Sequence, residues 1–168
     1  MALFRRREQP PAELVSSLDE DERLVSWADT STGTVVVATS LGLWWPFGDG
    51  PRRIPWQRVD KVVWRDGVLT VTEADVVDDT LLVDRAPVAA ALSTPRDLPP
   101  TVRKRVESNI VKSELLSVAG GAVRFVGRRE PGRDGLTWWA RIEQGTPDTE
   151  RLRAAIRARL AILRATDQ

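Results

Sequence analysis

The chain has 168 residues, with 25 basic and 24 acidic side chains and neither cysteine nor histidine. The absence of Cys and His excludes disulfides, thiol catalysis, the usual zinc ligands and Ser–His catalysis. A net charge of +1 argues against a general polyanion binder, and no run reaches the roughly 18–20 apolar residues of a membrane span. We therefore expect a cytoplasmic globular protein without a transmembrane segment, a metal or another cofactor, and without enzymatic activity.

Residues 1–11 are predicted to be a flexible basic tail, because three consecutive arginines stand there without the apolar segment of a secretory signal. Residues 12–168 are predicted to form a single domain. Within it we expect an N-terminal β part at 22–92, a connector at 93–100 and a C-terminal α-β-α part at 99–166.

The N-terminal part alternates short apolar, β-branched runs with turn residues. Residues 12–18 are predicted to form one or two helical turns. The alternating pattern that follows predicts several short strands. Residues 46–51 are turn residues throughout, and Asp66-Gly67 is a hairpin signal. Short strands with frequent turns favour a bent sandwich or partly open barrel in an α+β, predominantly antiparallel protein. The predicted strands are 23–28, 34–39, 41–45, 59–64, 68–72 and 80–84.

The segment after the connector supports two interpretations. Val102, Val106 and Ile110 are spaced four apart, so a helix could continue past residue 110. Gly120-Gly121, however, separates two apolar-rich runs as a hairpin loop would. We place an inserted helix near 99–108, with Asp97 as its cap, and start a strand near Ile110.

The C-terminal part predicts a three-stranded meander followed by an amphipathic helix. Its strands are expected at 110–118, 122–129 and 136–143. The helix is expected at 147–165, with Thr146 as N-cap and Pro147 in the first turn. Its apolar stripe is expected to comprise Leu152, Ile156, Leu160 and Leu163.

Residues 34–73 combine a β-branched run, a polar turn and a glycine-containing hairpin with a set of mostly apolar positions. These positions are Thr39, Gly42-Leu43-Trp44, Ile54-Pro55-Trp56, Val59, Val62, Trp64 and Gly67. In them the segment, about a quarter of the chain, resembles the bacterial pleckstrin-homology-like (PH-like) families. The resemblance implies two packed, bent antiparallel sheets capped by a C-terminal helix, used mainly as a binding or assembly scaffold. The whole chain also resembles a family of small actinobacterial proteins that begin Leu-Phe-Arg-Arg, which implies a lineage and no activity.

Four aspartates lie close together in the sequence and could bind a hard cation. Their spacing lacks the alternating ligands and central glycine of a calcium loop, so a solvated acidic turn is the favoured interpretation. The chain contains neither the phosphate-binding loop motif G-x-x-x-x-G-K-S/T nor the dinucleotide-binding motif G-x-G-x-x-G. The aspartates are Asp75, Asp78, Asp79 and Asp84.

The C-terminal meander carries the candidate binding residues. Strand alternation places Arg124 and Arg128 on the same face as Trp139 and Arg141 of the neighbouring strand, and we expect this Arg/Trp face to be exposed. Arg129 and Arg133 would lie at its edge. Guanidinium groups beside an indole can hold a phosphate or stack on a base. Arginine stems covering a half-exposed Trp are the simpler interpretation.

Three functions are compatible with the sequence. The first is a non-enzymatic PH-like module that binds a protein partner or assembles with itself. The second is a weak binder of nucleic acid or acidic lipid through the Arg/Trp face. The third is an enzyme based on carboxylates, which nothing local in the sequence favours.

Overall fold

The computed structural model describes residues 9–167, so residues 1–8 of the expected basic tail lie outside the described part. That part contains eleven strands and three helices, and no helix in it is long and apolar enough to cross a membrane. The helices are α1 (Ala12–Ser16), α2 (Leu98–Asn109) and α3 (Glu150–Thr166). The strands are β1 (Leu24–Thr30), β2 (Val35–Thr39), β3 (Gly42–Phe47), β4 (Gly50–Pro55), β5 (Val59–Arg65), β6 (Val68–Val77), β7 (Leu81–Asp84), β8 (Val88–Thr94), β9 (Ile110–Val118), β10 (Gly121–Arg128) and β11 (Thr137–Ile142).

The strands form one open, predominantly antiparallel sheet in the order β4-β3-β2-β1-β8-β6-β7-β11-β10-β9. Its ten-residue strand β6 connects the two ends of the molecule. The first half of β6 pairs with β8, the second half pairs with β7, and β5 runs along its other edge. The pairing of β7 with β11 is parallel. The expected α+β class with mostly antiparallel strands is confirmed.

Helix α2 packs on the core of the N-terminal strands. Its Leu98, Val102 and Val106 belong to a buried cluster with residues of β1–β6 and β8 and with Trp56, which lies in the turn between β4 and β5. The predicted helix at 99–108 is therefore confirmed, and so is the strand start at Ile110. Asp97 stands at the N-cap position, but its carboxylate accepts a hydrogen bond from Ser26 at 2.6 Å rather than from the helix backbone.

Helix α3 covers the other core, formed with β7, β9, β10 and β11. Its predicted stripe is buried, as expected: Leu152, Ile156, Leu160 and Leu163. The expected start at Pro147 is wrong, because the helix begins at Glu150, capped by Thr149, whose hydroxyl accepts from the Leu152 amide at 3.1 Å. The hydroxyl of Thr146 instead contacts the backbone of Ala122.

Three further expectations for the N-terminal part need correction. Strand β8 was not predicted, because its small side chains resemble a linker. It extends to Thr94, so the expected connector at 93–100 is shorter than predicted. The turn expected at 46–51 is shorter, since Pro46-Phe47 and Gly50-Pro51 belong to β3 and β4. The helix that packs on the core containing residues of the segment 34–73 is α2 and not the last helix of the chain. The Asp66-Gly67 hairpin is confirmed, with both residues at positive φ.

Candidate binding surfaces

The register of the C-terminal strands confirms which side chains share a face. Arg124 pairs with Arg141, and Val126 pairs with Trp139. Directly paired residues lie on the same side of an antiparallel sheet. Arg128 follows two residues after Val126 on β10 and therefore lies on this face too. Gly127 lies on the opposite side, where an added Cβ would come within 2.9 Å of the Trp138 ring.

The expectation that this Arg/Trp face is exposed is wrong. The Arg128 side chain has no exposed surface, and Trp139 keeps 8% of its own. Trp139 packs with Ala74, Leu82 and Val126 in a small apolar cluster. The start of β5 and the turn before it cross the face beside Arg128, which converts a predicted ligand surface into an internal contact between the two ends of the sheet.

Arg128 donates three hydrogen bonds to acceptors from the N-terminal half. Its Nη1 donates to the carbonyl oxygens of Gln57 at 3.0 Å and Val59 at 3.3 Å, and its Nη2 donates to Asp60 Oδ1 at 2.6 Å. Arg141 Nη2 lies 2.6 Å from the same Asp60 oxygen. Burial lowers the pKa of Arg128 below its ordinary value, and Asp60 opposes that shift.

Arg141 connects this network to β7 through Asp84 Oδ1, at 2.9 Å from its Nη2. Arg124 is the exposed end of the face, with 42% of its side chain accessible, and it pairs with Glu143 at 2.7 Å. The candidate residues are therefore divided. Arg128, Trp139 and Arg141 form an internal contact, while Arg129 and Arg133 leave the sheet at the β10–β11 loop.

The four clustered aspartates do not gather around a common point. Asp75 pairs with Arg85, Asp78 with Arg153 and Asp84 with Arg141. Residues 9–167 contain no group of three or more carboxylates placed to hold a metal ion. The arginine beside Asp75 holds the pKa of that carboxyl below its usual range. This arrangement agrees with the acidic-turn interpretation of these residues.

A groove lies between β5 and α2 in the N-terminal half. It has a volume of about 540 Å³. Val62 pairs with Val71, and Trp64 pairs with Leu69, so both side chains lie on the core side of the sheet. Trp64 nevertheless keeps 42% of its surface exposed. Residues of both elements line the groove: Asp60, Lys61, Val62, Val63, Trp64, Pro99, Pro100, Arg103, Val106 and Glu107.

One edge of β5 is unpaired within residues 9–167, since its only strand partner there is β6. Sequence reasoning identified the β5–β6 hairpin but not this free edge. Whether a strand lies at an edge depends on which strands pair in the folded sheet, and β4, which precedes β5 in the chain, pairs with β3 and not with β5. The only local signal was an apolar strand that ends in Trp64.

No family model matches the chain, and no curated protein or solved structure matches it significantly.

Proposed function

We propose that this chain is a non-enzymatic binding module that recognises an extended segment of a protein partner by adding it as a strand to β5. The observation that carries the proposal is the free edge of β5 beside an apolar groove. Binding by strand addition uses main-chain hydrogen bonds for affinity and side-chain pockets for selectivity. Both requirements are met along β5.

The backbone of β5 supplies the first requirement. Every second residue of an edge strand turns its N–H and C=O away from its only neighbour, and these groups can pair with an incoming strand. β5 has seven residues. At about 3.3 Å per residue, a peptide of roughly five to seven residues could pair along it.

The groove supplies the second requirement. Val62 and Trp64 offer apolar contacts on the core side, opposite Pro100 of α2. Lys61 and Arg65 lie on the other face of β5, where they would stand across from alternate residues of the added strand. Opposite charges at cross-strand positions stabilise pairing. The preferred partner is therefore a strand that alternates apolar and acidic residues.

The PH-like assignment of residues 34–73 belongs to the same proposal. It is supported by the antiparallel strands β1–β6 and β8 and by α2, which packs on their core. In such a scaffold the strands and the helix together form the walls of a binding groove. Self-assembly would use the same free edge if a second copy of the chain supplied the added strand.

The two alternative functions lose support from the described contacts. Binding of nucleic acid or acidic lipid through the Arg/Trp face would require Arg128 and Trp139 to be accessible, and both are buried. A carboxylate-based enzyme would require acids that converge in a cleft, whereas Asp75, Asp78 and Asp84 pair with separate arginines.

Selection of peptides against the purified protein tests the proposal. A library of random linear 12-residue peptides should yield binders with apolar residues at every second position and acids between them. Changing Trp64 to Ala should weaken their binding at least about tenfold in fluorescence anisotropy, because truncating an aromatic anchor commonly costs more than 1 kcal/mol. Melting temperature should change little, since Trp64 is 42% exposed.

The matched control is Leu115→Ala. Leu115 is 54% exposed on β9, the edge strand at the far end of the sheet. Its truncation should leave peptide binding unchanged. Selected peptides that bind the Trp64→Ala variant as tightly as the unchanged protein would rule out the β5 groove as the site.

A further inference from the structure

A second cavity, of about 290 Å³, lies between the end of α2 and the β10–β11 loop. It is independent of the β5 groove. Its walls include Arg105 from α2 and Arg129 and Arg133 from the loop. Two of the six arginine and tryptophan residues singled out in the sequence therefore meet at a place that the sequence did not indicate, beside the helix that packs on the core of the N-terminal strands.

The cavity has an excess of positive charge. Three guanidinium groups line it together with one carboxylate, that of Glu130. Glu130 is already engaged, because its Oε2 accepts from Arg133 at 3.2 Å and from Thr137 at 3.3 Å. Among residues 9–167, the guanidinium groups of Arg105 and Arg129 have no hydrogen-bond or ion-pair partner. Both remain available to an anion.

Asn109 fixes the two sides of the cavity to each other. Its Nδ2 donates to the Arg129 carbonyl at 2.6 Å, and the Arg129 amide donates to the Asn109 carbonyl at 2.9 Å. Asn109 and Arg105 are four residues apart and therefore share one face of α2. This double contact places the two unpaired arginines on opposite walls of one small space.

The same amide leaves a buried acceptor unsatisfied. Asn109 is 6% exposed, and its Oδ1 has no hydrogen-bond donor within the described residues. Exchanging the positions of Oδ1 and Nδ2 would not solve this, because Nδ2 is needed to donate to the Arg129 carbonyl. A ligand with a proton donor next to its anionic oxygens would satisfy both the arginines and this oxygen. Monohydrogen phosphate and protonated phosphate monoesters have that combination.

We propose that this cavity binds the phosphate group of a small phosphate monoester, with Arg105 and Arg129 as the principal ligands. The planar guanidinium group of arginine can donate to two phosphate oxygens at once, and these charge-assisted hydrogen bonds are strong. The volume suits one phosphate group with a few attached atoms, since pockets for larger ligands start near 300 Å³. The carbonyl groups at the end of α2 oppose an anion, and the three arginines outweigh them.

Titration with inorganic phosphate, followed by NMR of the amide signals in chloride buffer of low ionic strength, tests the proposal at about pH 5.5, below the second pKa of about 6 of a phosphate monoester. We expect saturable shifts of the Arg129 and Asn109 signals, with phenyl phosphate competing for the same site. Sulfate, which carries no proton donor, should bind several-fold more weakly. Sulfate binding as tight as that of phosphate would contradict the part assigned to Asn109.

Changing either Arg105 or Arg129 to Gln should weaken phosphate binding about tenfold or more, which corresponds to the loss of one charge-assisted hydrogen bond. Arg151→Gln, on the exposed side of α3, is the matched control and should leave binding unchanged. Absence of saturable phosphate binding would overturn the proposal, and so would unchanged affinity in both variants. Peptide binding at β5 should survive in these variants, so failure of one site is distinguishable from failure of the other.

Discussion

Replacing Arg128 with Met tests the internal contact between the two ends of the sheet. The change keeps most of the volume of the stem but removes the donors to the carbonyls of Gln57 and Val59 and to Asp60. Breaking a buried ion pair by removing one partner costs about 3–5 kcal/mol. Asp60 keeps Arg141 as a partner, so we expect the lower end, about 3 kcal/mol.

Thermal unfolding measures this loss. For a chain of this size, 1 kcal/mol shifts the melting temperature by about 2–4 °C, so Arg128→Met should lower it by about 6–12 °C. Arg124→Met is the matched control on the same strand and face. Because Arg124 is 42% exposed and makes one surface ion pair, its loss should cost about 0–1 kcal/mol. Equal shifts for the two variants would refute the assignment of Arg128 as a buried connection.

Three further predictions concern the C-terminal helix, pH and metals. Ile156→Asp should lower the free energy of unfolding by several kcal/mol in denaturant titration, since it buries an unpaired charge, whereas exposed Ala155→Asp should not. Lys112 and the Trp138 indole hold the pKa of Asp167 below its usual value. The stability advantage of the unchanged protein over Asp167→Asn should therefore be complete above about pH 4 and decline as pH falls through the lowered pKa. A chelator should leave the melting temperature unchanged, because a chain without Cys and His lacks the usual ligands of structural metals.

Elements defined by local patterns were predictable from the sequence. The stripe of α3 follows from a spacing of three and four residues, and the Asp66-Gly67 turn follows from residues that tolerate positive φ. The α3 start was missed because Thr146 and Thr149 are both competent caps. The first is used by the backbone of Ala122, a contact that only the folded meander creates.

Properties that depend on distant parts of the chain were not predictable. Alternation correctly placed Arg128 and Trp139 on one face, but it cannot tell whether another element covers that face. The cover of Arg128 comes from residues 57–60, about 70 positions earlier, and Trp139 packs against Ala74 and Leu82. The same limit applies to the proposed phosphate site. Arg105 and Arg129 are brought together there by two hydrogen bonds between Asn109, at the end of α2, and the backbone of Arg129.

Amide hydrogen exchange along β5 tests the central claim most directly. In the protein saturated with a selected peptide, the β5 amides that point away from β6 should become strongly protected, since an added strand supplies their acceptors. The amides already bonded to β6 serve as an internal reference and should change less. Unchanged exchange along β5 at full peptide occupancy, with new protection only on other elements, would contradict recognition by strand addition.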